Sequence, residues 1–287
     1  MAFDPFRHFE WELAHGRSVT LGPRAVIMGV LNVTPDSFSD GGRYLDTEAA
    51  IRQAKRLHRA GAAIIDIGGE SSRPGFEEIP ASEEQARILP VFEALRDTGM
   101  ILSVDTWRAE TARAAIAAGA HIVNDIWGFQ RDPELAGVAA RSGAGCVLMH
   151  TGRGREKAGD VIADQIAYLS ASLEVAGRAG IARQQIVLDP GYGFAKDPAE
   201  NIAILARTRE LFALGCHILT GTSRKRFIGH VTGRRAASRD VGTAATSVVA
   251  RMQGSAVFRV HDVPKNRDAL AIADAVLEAR GKTLPDR

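Results

Sequence analysis

Polar side chains able to bind or polarise a ligand recur in this 287-residue chain directly after short apolar runs. Asn32 closes the first run, Asp66 the second with Glu70, Ser72 and Arg73 just beyond, and Asp105 the third. Asn124 and Asp125 follow the fourth, His150 the fifth and Asp189 the sixth. Ser223, Arg224 and Lys225 follow the seventh, and the eighth carries Arg259 before closing on His261 and Asp262. Carboxylate oxygens only accept hydrogen bonds, whereas an amide gives and accepts. Asp105, Asn124 and Asp189 around one cavity therefore suit a flat heterocycle with many N–H donors. Opposite them, Arg73, Arg259 and His261 suit a phosphate or pyrophosphate, whose oxygens guanidinium forks bind bidentately. The expected site is divided between a donor-rich ring and an anion.

Each residue also has a plainer reading. Asp105 before Thr106 has the form of a helix N-cap, Asn124 that of a buried turn residue, and His261 that of a satisfied interior histidine. Their mutual company favours function. Asp66 and Asp125 read better as carboxylates that fix loops, and Arg52, Lys55, Arg56 and Arg59 as a solvated helix face.

Something must bring these residues together. Apolar runs of strand length span 25–31, 63–67, 101–104, 121–123, 145–149, 186–188, 216–220 and 256–260. Segments with helical apolar spacing lie between and after them, at 49–60, 83–95, 108–118, 135–141, 161–178, 201–211, 243–252 and 268–279. Strand then helix, eight times, predicts an α/β fold, a single (β/α)8 TIM barrel of parallel strands whose C-terminal loops carry the site. Runs such as VIMGVL and IVLDPG are continuously apolar, as strands covered on both faces should be. Gly61, Gly99, Gly119, Gly143, Gly180 and Gly215 stand where helix C-caps belong. An open doubly wound sheet is the runner-up, disfavoured because no G-x-G-x-x-G turn follows the first strand. The expected barrel covers 25–280, after an N-terminal segment 1–24 that extends or caps it and before a tail 281–287. The loops 32–42 (NVTPDSFSDGG) and 68–75 (GGESSRPG) exceed ordinary connections and are candidate lids.

Composition narrows the partners. With 36 Lys plus Arg against 34 Asp plus Glu the net charge is +2, so no basic field calls for nucleic acid or an acidic membrane surface. No signal-peptide-like or membrane-spanning apolar stretch is present. Cys146 and Cys216 lack metal or disulfide spacing and read as core hydrophobes in a reducing cytoplasm.

The loops are also where the chain resembles a known family, the dihydropteroate synthases. GVLNVTPDSFSDGG (29–42) and IIDIGGESSRPG (64–75) are similar to its first two signatures. SVDT (103–106), VNDI (123–126), LDPGYGFAKD (188–197), GTSRKRFIG (221–229) and RVHDV (259–263) follow in the family's order. The resemblance implies condensation of 6-hydroxymethyl-7,8-dihydropterin pyrophosphate with p-aminobenzoate, the pyrophosphate leaving before the amine attacks. It implies that Asp105, Asn124, Asp189 and Lys225 hold the pterin with Met149 packed on it, and that Ser72, Arg73, Arg259, Val260 and His261 grip the pyrophosphate. It further implies that Asn32 ligates Mg2+, and that Ser72, Pro74, Phe194, Ser223 and Arg226 receive p-aminobenzoate. Asp105, Lys225 and Asn32 would then be catalytic, Asp105 by steadying a cationic pterin methylene. A cytoplasmic homodimer and competition by sulfonamides at the Phe194 site are expected by the same resemblance.

Three departures stand out: Ser72 where many relatives have Thr, LMHTGRG with Arg153 and Arg155 after the fifth strand, and Tyr192 and Ala195 within GYGFAK. A pterin methyltransferase or a non-catalytic pterin-binding paralogue remains the alternative reading. The SSRPG and SRKRFIG segments speak against the first, and retention of all ring and anion residues against the second.

Overall fold

The fold is seen in a computed structural model that describes residues 3–34, 42–71 and 77–281. An antiparallel hairpin, β1 (Phe9–Leu13) and β2 (Arg17–Leu21), precedes the repeating part. The repeat begins with β3 (Val26–Asn32), α1 (Gly42–Arg59), β4 (Ile64–Gly68), α2 (Ala81–Leu95), β5 (Ile101–Asp105) and α3 (Ala109–Ala117). It continues through β6 (Ile122–Asp125), α4 (Leu135–Ser142), β7 (Gly145–Met149), α5 (Val161–Arg178), β8 (Ile186–Asp189) and α6 (Pro198–Arg207). It ends with β9 (His217–Thr220), α7 (Arg226–Thr232), α8 (Asp240–Gln253), β10 (Val257–Val260) and α9 (Val263–Ala279). The strands β3 to β10 are parallel and close on themselves, β10 pairing with both β9 and β3. Closure removes the open-sheet alternative.

The eight strands fall where the apolar runs are, and the six expected C-cap glycines all adopt left-handed φ, from 66° to 115°. Several helices begin earlier than apolar spacing indicates, because periodicity marks only turns that pack. Their polar first turns are set by caps instead. Asp197 accepts from Glu200 N at 2.8 Å ahead of Pro198, and Asp262 accepts from Lys265 N at 3.0 Å ahead of α9. Cys146 and Cys216 are buried, unpaired thiols. No helix among the described residues is long and apolar enough to cross a membrane.

Alternation along the strands sorts the side chains into two cores. Ile27, Ile65, Ile67, Leu102, Val104, Val123, Leu148, Leu188, Ile218 and Phe258 face outward and pack with the helices. The intervening Val26, Met28, Ile64, Ile101, Ile122, Val147, Val187, Leu219 and Val257 fill the lower barrel. The β1–β2 hairpin plugs that floor with Trp11, Leu13 and Leu21, and Trp11 Nε1 donates to the Gln185 carbonyl at 2.8 Å. A Cβ on Gly145 would lie 2.3 Å from Leu13, which is why β7 opens with glycine. Apart from His217, which opens β9 at the floor against Phe9, the inward rows turn polar toward their upper ends: Asn32, Asp66, Ser103, Asp105, Asn124, Asp189 and Arg259.

Behind β10 the fold depends on one buried cation. Arg251, wholly enclosed, pairs with Asp274 at 2.6 Å and donates to the carbonyls of Ser255, Gly22 and Pro23. It thereby ties α8 to α9 and to the chain entering β3. Asp274→Ala should lower unfolding free energy in urea by roughly 3 kcal/mol or more, since it strands a buried guanidinium; a loss below about 1 kcal/mol would show that Arg251 is satisfied without it.

Candidate active site

Inward parity brings Asp66, Asp105, Asn124, Asp189 and Arg259 to the upper barrel from five different strands. Asp105 and Asn124 are register partners on β5 and β6, and Met149 and Asp189 on β7 and β8. Arg259 lies among the carboxylates. Its Nε donates to Asp66 Oδ2 and its Nη2 to Asp105 Oδ2, each at 2.6 Å. The expected cationic group opposite the acids is corrected here: β10 is inserted between β9 and β3, so its inward side chain reaches across to β4 and β5. Two of the five guanidinium donors are thereby committed.

Asp66 is the residue that sequence reasoning undervalued. It is fully buried, and the oxygen that binds Arg259 also accepts from Asn124 Nδ2 at 3.1 Å. A carboxylate only accepts, so Asn124 must turn its amide nitrogen downward and present its oxygen to the cup. Asp66 Oδ1 is buried with no hydrogen-bond partner among the described residues, as is the hydroxyl of Ser103, its register partner on β5. The signal was available: Ile64, Asp66 and Gly68 share one parity, and Ile64 lies in a barrel layer. Asp125 has the opposite parity. It accepts from Trp127 N and Phe129 N at 2.8 and 2.6 Å, and is the loop-fixing carboxylate expected. His150 also points outward, wholly buried, with Nε2 2.8 Å from Asp164. Val260 is corrected on the same ground, since its side chain belongs to the outer core, away from the barrel mouth. Asp105 is no helix cap; Asp132 accepts from Ala109 N at the start of α3 instead, at 2.8 Å.

Opposite the Asp66 side, Asp189 Oδ1 accepts from Gly191 N at 2.7 Å. Its other oxygen faces Gly221, where a Cβ would lie 3.5 Å away. Lys225 comes over this edge from the turn before α7. The turn is held from α8: Arg224, in a left-handed conformation at φ 57°, pairs with Asp240 at 2.7 Å, and its N–H donates to Thr243 Oγ1 at 3.1 Å. Arg239 Nη1 donates to the Arg224 and Lys225 carbonyls. Backbone strain kept in place by such contacts is typical of functional turns. Burial, reinforced by Arg259, pushes the Lys225 ammonium down to about 8, although Asp189 and Asp105 favour its charge. Burial pushes Asp105 up to about 7; Arg259 works against this and Asp66 with it, because two carboxylates share one guanidinium.

Two further groups complete the rim. Ser223 accepts from His261 N at 3.1 Å, and its hydroxyl lies 2.9 Å from His261 Nδ1, so these two expected residues are joined. Phe194 is buried beneath Lys225, whose Nζ is 4.4 Å from the ring centroid. Lys196 props this loop from below through the Gly191 carbonyl at 2.9 Å. Tyr192 is accommodated in the core, stacked on Phe227 at 6.0 Å. Arg226 is exposed at the start of α7. Asn32 ends β3 on the inward side, partly buried. Ser72, Arg73 and Pro74, with the tips of both long loops, lie outside the described residues. Asp66→Ala should cost about 3 kcal/mol in urea unfolding, because it leaves Asn124 Nδ2 unpaired and removes one of Arg259's two counterions; a loss under about 1 kcal/mol would remove Asp66 from this role.

This geometry can be set beside known proteins. The family described as Pterin binding enzyme matches residues 28–261. Dihydropteroate synthase of Bacillus subtilis (strain 168) is 43% identical over 259 residues, covering 90% of each chain. The structure of Xanthomonas albilineans dihydropteroate synthase with 4-aminobenzoic acid superposes with a TM-score of 0.88 at 41% identity, over 93% of this chain and 98% of that one. The same enzyme in complex with 7,8-dihydropteroate gives 0.84 at 40% identity, over 92% and 98%. On a barrel whose mouth gathers acids, an amide, a lysine and an arginine, with identity above two-fifths across nine-tenths of its length, the chain belongs to the dihydropteroate synthase family of pterin-binding enzymes, transferases of folate biosynthesis.

Proposed function

We propose that the barrel mouth binds a 6-hydroxymethyl-7,8-dihydropterin pyrophosphate beside p-aminobenzoate and joins them with loss of pyrophosphate. The observation that carries this reading is the convergence of Asp105, Asn124, Asp189, Lys225 and Arg259 on one cup. In it Asn124 offers its amide oxygen and Asp189 one carboxylate oxygen to the ring N–H groups. Lys225 and the remaining Arg259 donors meet the ring's acceptors. Met149, buried beside Asp189, gives an apolar surface for the ring face.

The displacement separates charge, and the residues present suit that demand. Arg259 balances only one of its two carboxylates, so the cup retains a net negative bias next to the carbon that becomes cationic as pyrophosphate departs. Asp105 is the carboxylate nearest solvent of the pair and would steady that charge; preorganised groups of this kind contribute several kcal/mol to a barrier. His261, oriented by Ser223, with Arg259, Ser72 and Arg73, would hold the leaving anion. The amine of p-aminobenzoate is already nucleophilic, so no dedicated base is required. Phe194, Pro74, Ser72, Ser223 and Arg226 would receive its ring and carboxylate.

Magnesium fits this donor set as a partner of the substrate. Among the described residues no cluster of three or more His, Cys, Asp or Glu could hold a metal by itself. The Asn32 amide oxygen on the inward edge would be its protein ligand, suited to an ion that keeps phosphate oxygens and waters around it. Bound there, Mg2+ would draw charge from the departing pyrophosphate. A homodimer is supported by Ile202, Val231, Val241 and Val249, large apolar side chains exposed on α6, α7 and α8, which pack side by side.

The reading is tested by pyrophosphate release with Mg2+ and both substrates. Turnover is expected, with Asp189→Asn weakening pterin binding in calorimetry by roughly 10- to 150-fold, the worth of a charge-assisted hydrogen bond; clean pterin binding without turnover would refute it. The pH profile is a second test. Below about pH 7 Asp105 gains a proton and loses its charge, and above about 8 Lys225 loses one. Hence kcat/KM for the pterin substrate should peak between these values. Lys225→Arg should carry the alkaline limb upward, and a flat profile from about pH 6 to 9 would exclude both assignments.

A further inference from the structure

The loop that carries Phe194 is anchored at two points, and the outer anchor is a lysine outside the cup. The inner half is tied to Asp189, whose Oδ1 accepts from Gly191 N at 2.7 Å, while the Gly191 carbonyl accepts from Lys196 Nζ at 2.9 Å. The outer half is tied to the segment after β7. Lys157 Nζ donates to the Ala195 carbonyl at 2.9 Å and pairs with Glu200 at 2.6 Å. Glu200 is fixed in turn, because its other oxygen accepts from Asp197 N at 2.7 Å in the capping box that opens α6.

Between the anchors, Phe194 N donates to the Gly191 carbonyl at 3.1 Å. The Phe194 carbonyl accepts from Lys196 Nζ at 3.3 Å and from Gly152 N at 3.4 Å, both at the long, weak end of hydrogen bonding. Ala195, the next residue, has a left-handed backbone at φ 51°, which a residue with a Cβ adopts only at a cost. The short bond from Lys157 to its carbonyl opposes relaxation out of that conformation. Room for the bond comes from Gly152, where a Cβ would lie 2.9 Å from Lys157 Cδ and 3.1 Å from the Ala195 carbonyl oxygen. The loop so held packs on Lys225: a Cβ at Gly193 would lie 3.2 Å from Lys225 Cδ, and Lys225 Nζ is 4.4 Å from the Phe194 ring centroid.

We infer that Lys157 is a positioning residue for the second substrate: by holding Ala195 left-handed through its carbonyl, with Glu200 as anchor, it sets the Phe194 ring against the Lys225 stem in the orientation that receives the arylamine. This rests on the proposed function, in which Phe194 meets p-aminobenzoate. Lys157 acts through the backbone of the loop's outer half. Asp189 and Gly191 belong to the other anchor, so loss of Lys157 spares the pterin.

The test compares Lys157→Met, Ala195→Gly and the double variant, by steady-state kinetics and by calorimetry with the pterin substrate. Lys157→Met should raise KM for p-aminobenzoate roughly three- to tenfold, the worth of one charge-assisted hydrogen bond weakened by partial exposure, with kcat and pterin affinity held within about twofold. Glycine enters the left-handed region freely, so once Ala195→Gly is present, adding Lys157→Met should raise KM by less than about twofold. A merely structural tie between the β7 loop and α6 would give the full loss in both backgrounds. An unchanged KM in Lys157→Met, a parallel loss of pterin affinity, or an equal effect with and without Ala195→Gly would overturn the role of Lys157, while turnover by the unmodified enzyme keeps the proposed function intact. Absence of turnover by the unmodified enzyme would overturn the proposed function, and this inference with it.

Discussion

Inside the barrel mouth, one arginine is shared by two carboxylates, and the site is organised around that imbalance. Arg259 bonds Asp66 and Asp105 at 2.6 Å each, and Asp66 is wholly enclosed. Taking such charges out of water costs several kcal/mol per ion unless pairing and hydrogen bonds offset it. In charge the offset is complete for Arg259, which faces two carboxylates, and incomplete for the acids. Among the described residues one Asp66 oxygen has no hydrogen-bond partner, and burial pushes Asp105 up to about 7. In the proposed function, a ligand rich in N–H groups, and later a carbon acquiring positive charge, would supply what is missing.

That arrangement is tolerable only on a rigid floor. Below the polar layer, Val26, Met28, Ile64, Ile101, Ile122, Val147, Val187, Leu219 and Val257 fill the barrel, and the hairpin β1–β2 closes it from beneath with Trp11 and Leu13. Water is thus excluded from one side of the charged layer. Outside the strands a second and larger core fixes the helices. Burial of apolar area in these two cores, at about 25 cal/mol per Å2, sustains a mouth that is electrostatically unfavourable by itself.

Around the rim, function is delegated to turns held from a distance. Lys225 owes its place to contacts that Arg239, Asp240 and Thr243 of the neighbouring segment make with the turn before α7. His261 is oriented by Ser223, and Phe194 by a loop braced through Lys196 and Asn201. Loops on a fixed scaffold can vary in this way without disturbing the barrel, and the segment from His150 to Arg155, where the sequence departs from the family's usual pattern, is such a loop.

By itself the sequence determined what depends on near neighbours in the chain. Eight apolar runs, the glycines that end helices and the family's motifs are local signals of length, period and backbone freedom, and the strands, the left-handed caps and the family follow from them. Facing direction was legible in principle, since Ile64 and Asp66 share a parity just as His150 and Val260 share the other, but only once closure defined an inside. Partnership was decided by the tertiary structure alone. Arg259 meets Asp66 across 193 residues and Asp105 across 154, because the last strand is inserted beside the first. No local pattern records which charge a side chain will neutralise. That depends on which strands become neighbours, and on which groups are left without water when the barrel closes.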